Sequence, residues 1–352
     1  MTKTVRKTLV LIAKFAVAGV LLWVVLSKVH WEDYTREVDG RQVACRGFKT
    51  TVASADALLL AGAFVGFTVP ILVLAGRWWF LLRALDIRVS VPETVRLTYL
   101  GTFFNYVIPG MVSGDLVKAY YMARHSARKA AVLMSVLTDR MLGLLEFAVL
   151  PAAVMAGMLA AGAPGLERLW MPAIVVGGVL LATCVSLALM LSRSLRRRLG
   201  LGGLLARLPI RRHLIVAAQA AELYRRRPSA LLAALAMTFV GQMCFIAAIM
   251  LAGMSLGLAV PWYHYCLYVP LIYIIAAVPI SPGGLGVAEA FYVAFFVPCG
   301  AGVSEVLALA LVARLIPMIC SLPGLIVMLR GPSLPAAEQM QAELTAAADR
   351  AG

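Results

Sequence analysis

A chain of 352 residues in which 62% are hydrophobic and only 14% are charged is not a soluble globular domain, where apolar residues make up about 45–50%. The net charge of +15 does not point to nucleic acid, because the lysines and arginines gather between apolar runs, where they read as loops facing anionic lipid on the cytoplasmic side. The six cysteines are scattered, mostly in or beside apolar runs, with the spacing of neither a disulfide framework nor a zinc site.

The first apolar run, 8–27, follows Lys3, Arg6 and Lys7. It is about 20 residues long, carries Lys14 and leads into Lys28-Val29-His30-Trp31 without a small-x-small cleavage pattern, so it reads as a retained signal-anchor helix. Residues 28–55 are the one hydrophilic segment assigned to the outer side, with five Lys/Arg and four Asp/Glu; they form either a small structured excursion or a disordered loop. A second span, 56–76, ends at Arg77-Trp78-Trp79. From Arg77 to Arg128, seven basic and three acidic residues surround a short apolar stretch at 97–112. A long span at 130–160, a turn at Gly162-Ala163-Pro164-Gly165 and a span at 171–192 follow. Residues 193–228 hold ten arginines and one acid, Glu222, and are the strongest cytoplasmic marker in the chain. A span at 229–253, an irregular apolar stretch at 263–300 and a last span at 304–329 complete the apolar pattern. Trp31, Trp170 and Trp262 fall near outer span ends, where amphipathic rings prefer to sit.

Two stretches carry the same irregularity. Val107-Ile108-Pro109-Gly110-Met111-Val112-Ser113-Gly114-Asp115 and Pro279-Ile280-Ser281-Pro282-Gly283-Gly284-Leu285-Gly286-Val287-Ala288-Glu289 are proline-glycine breaks that run into a carboxylate. The breaking residues are Pro109, Gly110 and Gly114 in the first, and Pro282, Gly283, Gly284 and Gly286 in the second. Non-helical backbone within a bilayer has unpaired N–H and C=O groups and survives only in protein or beside a wet cavity. A paired break therefore points to transport or lipid handling.

Placing the N-terminus and residues 193–228 on the cytoplasmic side requires an even number of crossings between them. Four spans supply it if the first break is a hairpin entering and leaving from that side, and the second break then enters from outside. The expected fold is all-α: a polytopic membrane protein with about six full spans plus two re-entrant helical hairpins in an inverted repeat. One transmembrane domain covers 1–330, with repeat one at about 8–160 and repeat two at about 171–330, and 331–352 is a tail; both termini are cytoplasmic. In support of the repeat, Pro109 and Pro282 are followed after 31 and 32 residues by Arg140 and Arg314.

A charge at the bilayer centre costs about 2.5–3.5 kcal/mol on insertion scales, so Asp115, Glu289, Arg140 and Arg314 are functional candidates by default. A guanidinium fork suits phosphate, which makes Arg140 and Arg314 candidates for holding a lipid phosphate, with Asp115 and Glu289 orienting them or taking up protons. The alternative is that each acid pairs with an arginine and pins the break, or favours the helix N-terminus that it opens. Asn105 is placed to cap backbone freed by the first break. Asp139 and Glu146 share one helix face; Glu146 belongs either to a polar track or to a pair with an arginine of another helix. Lys118 reads as a local partner of Asp115 three residues earlier. His264, between Tyr263 and Tyr265, reads as part of an interfacial aromatic cluster rather than a proton relay. No nucleotide loop, His-Glu-x-x-His pair or Gly-x-Ser-x-Gly elbow is present, so no catalytic residue, metal or cofactor is expected.

The segments Arg77 to Leu85, Phe103 to Gly110, Gly114 to Tyr120, Ser135 to Arg140 and Ser281 to Glu289 resemble, in that order, the flippase-like transmembrane domain of bacterial lysylphosphatidylglycerol synthases and their stand-alone relatives, over about 8–330. The resemblance implies a lipid translocase with re-entrant helices that moves a headgroup across the cytoplasmic membrane through a cavity between its halves. The aminoacyl-transfer domain of two-domain members has no counterpart in the 22 residues after Arg330, so synthase activity is not implied. The 28–55 segment is also longer and more charged than the family's usual connector. The expected partner is an anionic or zwitterionic phospholipid or a polyprenyl-phosphate lipid, with a second copy of the chain as a further candidate partner. The rival readings are a membrane-embedded enzyme or accessory factor acting on a lipid-linked substrate, and a small-solute transporter.

Overall fold

The computed structural model describes residues 29–38, 41–107, 114–124, 128–162, 169–191, 227–278 and 280–330, with Ser126 and isolated positions within 12–27 and 339–343. Described positions from Ile12 to Leu26 are helical, as the first span requires. The hydrophilic segment that follows is a structured excursion. Strands β1 (Tyr34–Val38) and β2 (Arg41–Cys45) pair antiparallel, Tyr34 opposite Cys45 and Val38 opposite Arg41. Helix α1 (Phe48–Ala53) completes it.

This excursion is clasped rather than loosely appended. The Gly47 N–H donates to Asp33 Oδ1 at 2.7 Å, and the Phe48 N–H and the Ser304 hydroxyl both donate to the His30 carbonyl, at 2.8 and 3.2 Å. Val29 packs on Leu307, with Phe48 and Val293 alongside. The Gly47 N–H, the Thr50 hydroxyl and the Arg46 charge together hold the Asp33 carboxyl below its usual value. A depressed folded pKa stabilises above the unfolded value of about 3.9, so the clasp persists through neutral pH and is released as the pH falls through the lowered value. Asp33→Asn is expected to speed hydrogen exchange at the Gly47 amide at neutral pH; an unchanged rate would show that the clasp adds nothing.

The rest is helical. Asp56 opens α2 (Ala57–Ala84), its carboxylate accepting from the Leu58 and Leu59 N–H groups at 2.9 and 3.0 Å. Then come α3 (Val91–Val107), α4 (Gly114–Arg124), α5 (Lys129–Ala160), α6 (Trp170–Leu191), α7 (Pro228–Ser255) and α8 (Trp262–Ala276). A 3₁₀ turn at Pro282–Gly284 leads to α9 (Val287–Phe296), α10 (Val303–Cys320) and α11 (Pro323–Arg330). Among the described residues, five stretches are long and apolar enough to cross a bilayer: Ala57–Ala84, Ala131–Ala160, Pro228–Ser255, Pro282–Cys299 and Val303–Arg330. Large apolar side chains such as Leu58, Ile174, Leu181 and Leu232 are exposed along these and the shorter α6, a pattern that lipid satisfies and water does not. The molecule is an all-α polytopic membrane protein apart from the small two-stranded hairpin.

Two expected boundaries change. Helix α2 does not end at Arg77 but continues to Ala84, because Arg77 and Trp78 are buried in protein rather than parked at a membrane edge. The last span is two helices, interrupted at Ser321-Leu322, with Pro323 opening α11 where a missing N–H costs nothing.

The chain divides into two compact units, one drawn from 1–68, 150–173 and 243–320, the other from 69–149, 174–242 and 321–352. Small residues let α2 approach α7 closely in each. In the first unit Gly66 faces Ala248; in the second Gly76 faces Met237 and Gly241 faces Val73. The second unit also holds the main apolar core, built around Trp78, Leu81, Leu82, Leu97 and Leu100.

Helices α3 and α4 cross where Gly101 meets Gly114, and a Cβ on Gly114 would run into the Gly101 carbonyl and Asn105. Gly114→Ala is expected to cost about 1–3 kcal/mol through overpacking, read as a lower melting temperature in detergent. An unshifted melting temperature would mean that the crossing relaxes freely.

Candidate functional site

The second unit carries the first break. Pro109 and Gly110 lie outside the described residues, but the flanks of the break are described. Asn105, near the end of α3, accepts the Gly114 N–H at 2.9 Å, so its side chain spans the interruption and caps α4 as its position predicts. Asp115, in the first turn of α4, is favoured by the N–H groups exposed there. The Arg140 Nε donates to Asp115 Oδ2 from α5. Among the described residues the terminal nitrogens of Arg140 have no partner, and its side chain is 54% exposed.

The first unit carries the second break, with the same ingredients. Ser281 to Gly286 leaves the helix through three left-handed glycines, Gly283 at φ 58°, Gly284 at 68° and Gly286 at 78°. A side chain at any of these positions would be strained. Glu289 in the first turn of α9 accepts the Gly286 N–H at 2.8 Å through Oε2, and the Arg314 Nε–H at 2.6 Å through Oε1. The rest of the Arg314 fork donates to the carbonyls of Gly283 and Gly284 at 3.1 and 3.2 Å. Arg314 thus satisfies the oxygens that the break releases, the accounting that a bilayer demands.

Each unit therefore pairs a carboxylate that opens a helix after a break with an arginine 25 residues later. The expectation that each acid pairs with an arginine is met at both, but the arginines differ in surroundings. Arg314 is closed over by its own backbone, while the outer end of Arg140 is open.

A third constellation lies in the second unit and is centred on a residue that the sequence did not single out for chemistry. Arg77 of α2 donates through Nε to Asp139 Oδ1 at 2.8 Å, through Nη2 to the Asp139 carbonyl at 3.2 Å, and through Nη1 to Thr238 Oγ1 of α7 at 3.0 Å. Glu146 lies two turns along α5 on the same face, its Oε2 3.7 Å from Arg77 Nη1. Of the two alternatives for Glu146, the pair with an arginine of another helix is the one present.

Lys118 departs from expectation. Its ammonium reaches Asp139 Oδ2 at 3.3 Å and lies 4.3 Å from the centre of the Trp78 ring, instead of joining Asp115. The reason is rotational: Lys118 is on the buried face of α4, while Asp115 faces Arg140. Trp78 in turn donates its indole N–H to Ser135 Oγ at 3.0 Å. Arg77 was legible only indirectly, since two carboxylates on one face of an apolar helix require a cation that the helix itself does not place beside both. His264 sits between the rings of Tyr263 and Tyr268, at 4.3 and 5.6 Å, in an aromatic cluster as expected but with Tyr268 in place of Tyr265, whose ring packs on Phe296.

The family model for the lysylphosphatidylglycerol synthase transmembrane region matches residues 11–324. The chain belongs to this family. No curated protein matches the chain. Within this member of the lysylphosphatidylglycerol synthase transmembrane family, the matched region takes in both breaks, both break-associated arginines and the Arg77 cluster.

Proposed function

We propose that the protein binds the phosphate of a membrane lipid at its broken segments and moves the headgroup between the leaflets of the cytoplasmic membrane. In this reading the breaks are re-entrant, both termini are cytoplasmic, and no bond is made or broken. The observation that carries it is the repeated assembly of break, carboxylate and arginine, present once in each unit, within a family named for a lipid synthase. Arg140 is the phosphate ligand: Asp115 holds Nε and so fixes the plane of the guanidinium, leaving the two terminal nitrogens to meet two phosphate oxygens side by side. Arg314 and Glu289 keep the second break open and ordered. The cargo class is an anionic or zwitterionic glycerophospholipid or a polyprenyl phosphate.

The test is reconstitution into liposomes with headgroup-labelled lipids and a membrane-impermeant quencher. The protein is expected to speed equilibration between leaflets for at least one of these classes. If none exchanges faster than in protein-free vesicles, with or without an ion gradient, the translocase reading fails. Conversion of a lipid into a new species would replace it with an enzyme.

A further inference from the structure

Away from both breaks, the second unit has an open cleft of about 640 Å³ between the α2–α3 connection, the start of α3, the end of α4 and the α4–α5 connection. Three guanidiniums line it, from Arg88, Arg96 and Arg128, against two carboxylates, Asp86 and Glu93. The carboxylates are already engaged. Glu93 takes Arg96 at 2.8 Å, and Asp86 is held at 2.6 Å by Arg227, which comes from outside the lining. Arg227 also donates to the Arg83 carbonyl at 2.8 Å, and Asp86 sits at φ 56°, an uncommon conformation for a residue with a side chain. The pairing therefore fixes Asp86 in place and turns its charge toward Arg227. Arg128 is left with the Leu85 carbonyl at 3.1 Å and only a long 3.9 Å approach to Asp86. Arg88 is exposed, with no hydrogen-bond or ion-pair partner among the described residues.

The cleft thus has cationic forks in excess of its counter-charge, and a volume within the range of small-molecule sites. We infer that it is a second anion site, which takes a phosphate-bearing group of headgroup size, glycerophosphoryl being of that size, on Arg88 and Arg128. Guanidinium forks favour the paired oxygens of a phosphate over a point anion. Glu93 and Asp86 at the rim disfavour a ligand carrying further negative charge and tolerate a neutral or cationic arm. None of these residues belongs to the break-and-arginine assemblies, so the inference does not depend on translocation.

The same chemistry is offered by a phospholipid of the adjoining leaflet and by a free phosphate ester, and the experiment separates them. Full-length Arg140→Gln protein, in which the first break can no longer contribute, is titrated calorimetrically in detergent with dihexanoyl phosphatidylglycerol, with glycerol 3-phosphate and with inorganic phosphate. Saturable binding that weakens at least tenfold when Arg88→Gln and Arg128→Gln are added supports the site. Binding of the lipid probe alone assigns it to a bilayer headgroup, and binding of glycerol 3-phosphate or inorganic phosphate as well assigns it to a soluble phosphate compound. No saturable binding of any probe, or affinity unchanged in the added variants, overturns the inference. Matching melting temperatures of the variants and their parent confirm that the comparison is between folded proteins.

Discussion

Arg77→Ala is expected to lose about 3–5 kcal/mol of stability, the cost of removing one partner from a buried ion pair. Arg77 is the cation on which two carboxylates and a hydroxyl from two other helices converge. Without it, among the described residues, Asp139 keeps only Lys118 and Glu146 is left in an apolar helix with no ion-pair partner. Natural proteins have about 5–15 kcal/mol in hand, so the variant should accumulate poorly and melt early in detergent. Arg77→Lys should recover only part of the loss, because one ammonium cannot span the Asp139 carboxylate, the Asp139 carbonyl and Thr238 together. Glu146→Gln added to Arg77→Ala should restore some stability by deleting the orphaned charge. A melting temperature for Arg77→Ala equal to that of the parent would show that the cluster is solvated and bears little of the fold.

Arg140→Gln should behave in the opposite way. Its side chain is more than half exposed and, among the described residues, has one partner in Asp115, so its loss is expected to cost the fold less than the loss of the buried Arg77. In the liposome assay its lipid exchange should fall at least tenfold while the melting temperature stays near that of the parent. Arg140→Lys should rescue weakly, since a point charge cannot offer two parallel donors. Exchange at the parental rate in Arg140→Gln would remove Arg140 from the phosphate site. Large losses of both exchange and stability would make it a structural pin like Arg314.

The two arginines show how much of this molecule was legible in its sequence. The spans could be placed because bilayer thickness sets their length, and the second break because a proline and three glycines fall together there, whereas the lone Pro70, Pro151, Pro270 and Pro317 lie within their helices. Asn105 capping Gly114 and Glu289 capping Gly286 are local contacts, nine and three residues apart, so residue type and position were enough. Arg77 was misplaced for the converse reason. A charge after a long apolar run has the same composition whether it meets headgroups or a buried carboxylate 62 residues away, and only packing distinguishes them. Lys118 failed similarly: helical spacing allows it to reach Asp115, but burial of its face directs it to Asp139. Of the two alternatives left open for 28–55, the structured excursion is the one present.

The left-handed run at Gly283, Gly284 and Gly286 is wired to Arg314 by the oxygens that it frees. That wiring makes the second copy of the motif self-sufficient, with its cation answered from within. In the first copy the outer end of Arg140 is unanswered among the described residues. If the motif arose by duplication, the two copies have since diverged, one becoming a rivet and the other a socket. If Arg140 is the lipid-phosphate ligand that we propose, selection acts on the second copy through folding yield and on the first through the choice of lipid.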